Sequence, residues 1–350
     1  MNIKTLTLKN FRNYSSSTFE FKPGLNIITG NNGIGKTNVV EAIHYLSIAR
    51  SFRTQEESDL IQEGKSNAEI FALIKEGDIS RKIKVAFTSK GKQIFINNKP
   101  VNKISELSKC VNVLLFEPKD VFLFKGAPKA RRNFLDINIS KTSPKYLEIY
   151  SRYEKVLKQR NDCLKSDNVD LLLLETYTDL LIELSLPIIN AREQYVKDIN
   201  DILIKITRAL TGKESDVKLN YTPFIKPDEN YLESAKQAFK SALEGDLKRK
   251  ATSIGIHRED ISMSLNGQDI AVKGSQGENR IVALALKLSP YFLIQNKEQR
   301  PIVVLDDVMS ELDQTHRLRL VKLLNKFEQV FITATKLEVK DAAQYHLANK

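Results

Sequence analysis

The chain has 350 residues, enough for two domains or for one large α/β domain carrying an insertion. With 41% apolar and 28% charged residues it reads as globular rather than disordered, and its net charge of +11 favours a polyanionic partner, nucleic acid before membrane. Cys110 and Cys163 lie far apart and the four histidines are scattered, which excludes a disulfide framework and a zinc knuckle; no stretch approaches the ~20 apolar residues of a membrane span, so a cytoplasmic protein is expected.

Residues 3–8 and 18–21 alternate as strands, and Pro23-Gly24 makes a turn before a third strand at 25–28. Gly30-Asn31-Asn32-Gly33-Ile34-Gly35-Lys36-Thr37 then fits G-x-x-x-x-G-K-[ST] in full. In such a loop the glycines let backbone N–H groups turn toward phosphate oxygens. Lys36 brings a cation to the β/γ-phosphates and Thr37 a hydroxyl for Mg2+. The helix expected at 37–48, with Val40, Ile43 and Leu46 on one face, adds the positive end of its dipole. The pattern therefore points to bound ATP. Short strands follow at 70–74, 81–87 and 94–96, the last before the turn Asn97-Asn98-Lys99-Pro100.

Residues 146–163 and 170–210 carry helical periodicity and almost no glycine, and Pro187 is expected to kink or split the second stretch. These residues suggest a helical lobe inserted at 141–229 in a head made of 1–140 and 230–350. Residues 212–230 read as its exit linker. Residues 125–165 hold eleven Lys or Arg against four acids. A basic cluster of that kind neutralises phosphates without reading sequence. Lys125, Lys129, Arg131, Arg132, Lys155, Lys158 and Arg160 are the candidate DNA contacts.

A helix at 231–251 and a hairpin turning at Asn266-Gly267 come next. Helices at 275–295 and 311–327 then alternate with strands at 301–306 and 329–334, the texture of a parallel sheet. Ile302-Val303-Val304-Leu305 reads as a buried strand ending in Asp306-Asp307. Asp306 is placed to hold Mg2+ with Thr37, and Asp307 to orient or deprotonate the attacking water. Ser275-Gln276-Gly277-Glu278 opens its helix with the S-x-x-E spacing of a capping box, and a helix start of small residues is also an anion site. Ser310-Glu311-Leu312-Asp313 follows the acidic strand. Glycine loop, serine-led signature (Ser275, Gln276, Gly277), acidic strand and a D-loop with Ser310 and Asp313 stand in the order of an ABC ATPase head. In such heads the signature of one subunit closes over the nucleotide of another.

Further stretches carry a more specific resemblance. Leu8-Lys9-Asn10-Phe11-Arg12-Asn13-Tyr14 opens the chain, and Asn38 and Glu41-Ala42-Ile43 follow the glycine loop. Ser51-Phe52-Arg53-Thr54, Phe116-Glu117-Pro118-Lys119-Asp120, Lys125-Gly126 with Arg131-Arg132 and Phe134-Leu135-Asp136, and Gly255-Ile256-His257-Arg258-Glu259-Asp260 come in turn. With these the chain resembles, over nearly its whole length, the RecF family of bacterial DNA replication and repair proteins in the Rad50/SMC-like ABC group. Ile256 stands where that family usually has proline. Thr333 stands where many ABC heads carry a switch histidine; a threonine can bond a γ-phosphate but carries no charge, which suggests slow hydrolysis. No Q-loop glutamine is evident.

The resemblance implies an α/β fold, a P-loop ABC-type ATPase head with an inserted helical lobe. It places Arg12, Asn13 and Asn38 with the loop residues 30–37 in the nucleotide site, Arg12 and Asn13 at the base and ribose. It implies a slow DNA-stimulated ATPase that uses ATP and Mg2+, dimerises when ATP is bound and acts in recombinational repair within the DNA-damage (SOS) response. Its DNA would be single-strand/double-strand junctions in gaps, and it would help load RecA through RecR and, indirectly, RecO. The basic charge and helical insertion argue against a transporter ATPase subunit. The absence of ~100-residue heptad arms argues against an SMC or Rad50 head. Intact Lys36, Asp306 and Asp307 argue against a scaffold that binds ATP without hydrolysis.

Overall fold

The computed structural model describes residues 1–101, 106–107 and 110–348. The chain divides into two compact units, Met1–Val121 with Lys205–Glu214 and Arg280–Lys350, and Phe122–Ile204 with Ser215–Asn279. The first unit begins with β1 (Asn2–Phe11), β2 (Tyr14–Glu20), β3 (Gly24–Thr29) and α1 (Lys36–Ile48), then β4 (Asn67–Glu76), β5 (Ile79–Thr88), β6 (Gly91–Ile96), β7 (Lys99–Pro100) and β8 (Val113–Phe116). An antiparallel sheet of order β2-β1-β4-β5-β6-β7 takes most of these strands. Its inward faces follow the period of two on β4 (Ala68, Ile70, Ala72, Ile74) and β5 (Ile83, Val85, Phe87), while on β1, which has a register shift between Ile3 and Thr5, the buried residues are Ile3, Leu6, Leu8 and Phe11. These side chains share one core with Val39, Val40, Ile43 and Leu46 of α1. The turn at Asn97-Asn98 is a two-residue hairpin loop with φ of 50° and 66°, the left-handed geometry that asparagine tolerates.

The second unit contains α2 (Pro128–Thr142), α3 (Pro144–Lys165), most of α4 (Leu171–Thr211), β9 (Val217–Thr222), α5 (Tyr231–Arg249), β10 (Asp260–Leu265) and β11 (Gln268–Asp269). The hairpin at Asn266-Gly267 is present between β10 and β11, and β9 pairs with β10. Of the two outcomes expected at Pro187, a kink or a split, the split does not occur: α4 is one 41-residue helix. Losing one backbone donor and fitting the ring costs about 3 kcal/mol. Buried Leu184, Ile188 and Ile189 beside it offset that cost. Residues 217–222, expected as linker, form β9.

Buried arginines hold this unit together. Arg192, 1% exposed, donates to Asp136 Oδ1 and Oδ2 (both 2.9 Å), to Glu259 Oε2 (2.6 Å) and to the Ile256 carbonyl (3.0 Å). Tyr146 and Tyr221 donate to the same two carboxylates. Arg160 donates to Asp246 Oδ2 (2.9 Å), Thr252 Oγ1 (2.7 Å) and Thr178 Oγ1 (2.9 Å). Arg131 makes two 2.7 Å bonds to Asp260 and reaches the carbonyls of Leu123, Phe124 and Gly126. These pairs tie α2 to β10 and to residues 256–259, all within the second unit. Arg192→Met would strand two buried carboxylates, so a loss of about 3–5 kcal/mol is expected. Arg192→Lys should recover only part of it, since an ammonium cannot reproduce the bidentate fork. Urea unfolding of both variants measures this, and a loss below 1 kcal/mol in Arg192→Met would refute it.

The chain returns to the first unit through α6 (Gln276–Leu288), then β12 (Ile302–Leu305), α7 (Gln314–Leu324), β13 (Gln329–Ala334) and β14 (Ala343–His346). A parallel sheet of order β14-β3-β13-β12-β8 results. Every residue of β12 and β13 is buried, as central parallel strands covered on both faces require.

Candidate nucleotide site

Parallel strands bring the ends of β3, β13 and β12 to one edge of the sheet, and the loops after β3 and β12 emerge there. Gly30, Gly33 and Gly35 have φ of 149°, 79° and 112°. A side chain at Gly30 would place its Cβ 2.7 Å from the Leu347 carbonyl oxygen, and one at Gly35 would meet the Asn13 side chain at 2.7 Å. Gly33 faces open space. The loop thus needs glycine twice for close packing and turns its crown outward. Lys36 Nζ lies across it, donating to the carbonyls of Gly30 (2.7 Å) and Asn31 (2.9 Å). α1 begins directly behind, with Gly35 at its N-cap and Thr37 in its first turn.

The two halves expected from the sequence meet. Thr37 Oγ1 donates to Asp306 Oδ1 at 3.1 Å, and Thr333 Oγ1 to the same oxygen at 2.7 Å. Burial raises the Asp306 carboxyl above its usual pKa, and the bonds from Thr333 and Thr37 oppose that rise. Asp307 is exposed, with a left-handed φ of 50°. Its N–H donates to Thr333 Oγ1 (2.9 Å), and its carbonyl accepts from Ser310 Oγ (2.8 Å). Asp313 caps α7 through the His316 N–H (2.9 Å).

Asn13 donates to the Ile34 carbonyl (2.9 Å) and accepts from Asn38 (2.8 Å), so it braces the loop from the side. Arg12 does something the sequence did not show. Its guanidinium forks onto buried Glu41 (2.6 and 2.9 Å) and reaches the Asp59 carbonyl (2.9 Å). Ser51 and Arg53 bond the same Glu41, and Arg53 also bonds Asn38 Oδ1 at 2.7 Å. This shell was missed as a shell; its only signal was that Arg12, Glu41, Ser51 and Arg53 all fall in the quoted motifs. At the start of α6, Ser275 N–H donates to Glu278 Oε2 (2.8 Å) and Glu278 N–H to Ser275 Oγ (3.2 Å), the reciprocal capping box.

The family RecF/RecN/SMC N terminal domain matches residues 2–348. Over 340 residues the chain is 35% identical to the DNA replication and repair protein RecF of Streptococcus pneumoniae (strain CGSP14), covering 96% of this chain and 93% of that one. The chain belongs to the RecF family. The RecF of Streptococcus gordonii (strain Challis) is 36% identical over 342 residues, with 96% and 94% covered. Among solved structures, the recombination mediator protein RecF-ATPrS in the RecFOR pathway superposes with a TM-score of 0.87 at 31% identity, covering 99% of this chain and 96% of that one. RecF-ATP gives 0.85 at 32%, with 96% and 93% covered. The Smc head domain of Pyrococcus furiosus shares the fold, with a TM-score of 0.60 at 19% identity over 95% and 89%. The α/β class and the ATPase-head fold of the RecF family and SMC heads are thereby those of this chain.

Of the seven basic residues expected to face a polyanion in this RecF-family member, the structure withdraws two. Arg131 and Arg160 are buried in the ion pairs described above, 8% and 1% exposed, and present no charge to a ligand. Arg132 is half-buried with one N–H on the Glu259 carbonyl (2.7 Å). Lys125, Lys129, Lys155 and Lys158 are exposed. No helix among the described residues is long and apolar enough to cross a membrane.

Proposed function

We propose that this RecF-family chain is a slow, DNA-stimulated ATPase that dimerises on ATP, binds single-strand/double-strand junctions in gapped DNA and helps load RecA through RecR and RecO. The observation that carries the nucleotide part is the convergence of the Thr37 and Thr333 hydroxyls on Asp306, beside a glycine loop crossed by the Lys36 ammonium. A hydroxyl and a carboxylate are hard oxygen donors, too few for an all-protein cage but suited to Mg2+ shared with phosphates. Thr37 and Asp306 would hold the ion, which when bound neutralises phosphate charge. Lys36 and the loop N–H groups would fix the triphosphate, and Asp307 would orient and deprotonate the attacking water. Relatives named RecF-ATP and RecF-ATPrS support ATP as the nucleotide, and the RecFOR pathway named with them supports RecR and RecO.

In the proposed dimer, Ser275, Gln276 and Gly277 of one copy meet the nucleotide of the other, with Ser310 and Asp313 in the adjoining D-loop. The ATPase head would comprise 1–140 and 230–350, with the lobe at 141–229. The exposed Lys125, Lys129, Lys155 and Lys158 would neutralise DNA phosphates. Four neutralised phosphates give a log–log salt slope of about −3.6, so binding per chain should weaken about 100-fold between 50 and 200 mM salt, with little sequence preference. Sedimentation with ATP and gapped DNA across a salt series tests both parts. A shallow slope would exclude the lysines, and an unchanged size with ATP would exclude the dimer.

A further inference from the structure

Thr333 occupies the strand between β3 and β12, where a switch residue would reach the terminal phosphate. Its side chain is instead spent inside the protein. The residue is 1% exposed. Its one hydroxyl hydrogen goes to Asp306 Oδ1, and its oxygen accepts the Asp307 N–H. A hydroxyl has a single hydrogen, so this one cannot donate to a phosphate while it donates to Asp306. Asp307 meanwhile sits in the left-handed region, at φ 50°, which aspartate tolerates better than most side-chain-bearing residues but still favours less than the right-handed region. Two contacts, one on each peptide group flanking the residue, hold it there: Thr333 accepts from its N–H, and Ser310 Oγ donates to its carbonyl.

We propose that Thr333 is a positioning residue for hydrolysis, fixing the left-handed turn at Asp307 from the β13 side while Ser310 fixes it from the other. The inference rests on the reading of Asp307 as the residue that acts on the attacking water. The turn sets where the exposed Asp307 carboxylate points. Without the Thr333 oxygen the Asp307 N–H loses its acceptor, and φ is free to fall back to the right-handed region. A displacement of about 1 Å at a reacting group costs on the order of 100-fold in rate. The same hydroxyl links Asp306 to Asp307, so one buried atom sets the relative placement of both carboxylates.

The test is a double-mutant cycle on the full chain, with single-turnover hydrolysis at saturating ATP and Mg2+ and nucleotide affinity measured in parallel. Thr333→Val keeps the shape of a buried strand residue and removes the hydroxyl. Its hydrolysis should fall roughly 10- to 100-fold while nucleotide affinity stays within about threefold. Thr333→Ser should restore most of the rate. In an Asp307→Asn background, already slow, Thr333→Val should slow hydrolysis little further, because both act through one carboxylate. If Thr333→Val does not fold, Ser310→Ala, at an exposed position, carries the same cycle with a smaller expected loss. A normal rate in Thr333→Val, an equal further loss in the Asp307→Asn background, or a fall in affinity matching the fall in rate would each overturn the inference. A normal rate in Asp307→Asn alone would overturn the reading beneath it as well, and that result is distinguishable from the other three.

Discussion

Lys36→Ala should lower nucleotide affinity by about 100-fold or more while the thermal midpoint moves by only a few degrees. The ammonium is nearly buried and sits on the carbonyls of Gly30 and Asn31, where phosphate oxygens would compete for it. Truncating one partner of a desolvated charge pair costs roughly 2–5 kcal/mol, and 1.4 kcal/mol is tenfold. The fold should survive because Asn31 and Asn32 are exposed and the freed loop carbonyls can be hydrated. ATP-dependent dimerisation should disappear with the affinity. Lys36→Met keeps the apolar stem and should behave alike, which assigns the effect to charge. Calorimetric titration with ATP reads the affinity directly, and wild-type binding in either variant would end the assignment of the loop.

Asp307→Asn should separate binding from turnover. The amide keeps the volume and the left-handed backbone, to which asparagine is well suited, but offers no basic oxygen. Hydrolysis should fall by roughly 100-fold or more, the scale of losing a general base. Contacts through Lys36, Thr37 and Asp306 are untouched, so ATP affinity should hold, and a dimer whose exit is hydrolysis should last longer on DNA. Ser275→Arg should do the reverse, binding ATP without dimerising, because a long side chain would displace the capping box and fill the start of α6. Phosphate release and dimer lifetime, followed together, decide this. A short-lived dimer in the first variant, or a normal one in the second, would show that the composite site is not built this way.

The parts of the site legible in the sequence were those written in local chemistry. A glycine loop, a four-residue apolar strand ending in two aspartates and an S-x-x-E helix start each carry their geometry in a short window, and each stands where expected. The hairpin turns at Asn97-Asn98 and Asn266-Gly267 were legible for the same reason. What stayed hidden depended on distant partners. α2 went unseen because its buried face includes Arg131, Asp136 and Asn138, which look like surface until Asp260 and Arg192 supply their counter-groups. Counting charge over 125–165 could not tell Arg160 in its ion pair from Lys158 in water. β9 alternates Val217, Leu219 and Tyr221, but lies in a stretch rich in linker residues that masked the period. Arg12 pointed to the nucleotide by motif, and only the fold shows its guanidinium on Glu41.

The strand order has a consequence for the protein while it is being made. The glycine loop leaves the ribosome well before β13, which separates β3 from β12 in the sheet and ends at Ala334. About 300 residues, all of the other unit among them, are synthesised between Thr37 and that strand. At roughly 5–20 residues per second the loop exists for on the order of 15–60 s before Asp306 and Thr333 can close on it. Neighbours so far apart in sequence also make for slow closure once the chain is free. A nascent chain therefore carries the glycine loop long before Asp306 and Thr333 exist to close beside it, and the whole constellation assembles only with the last central strand.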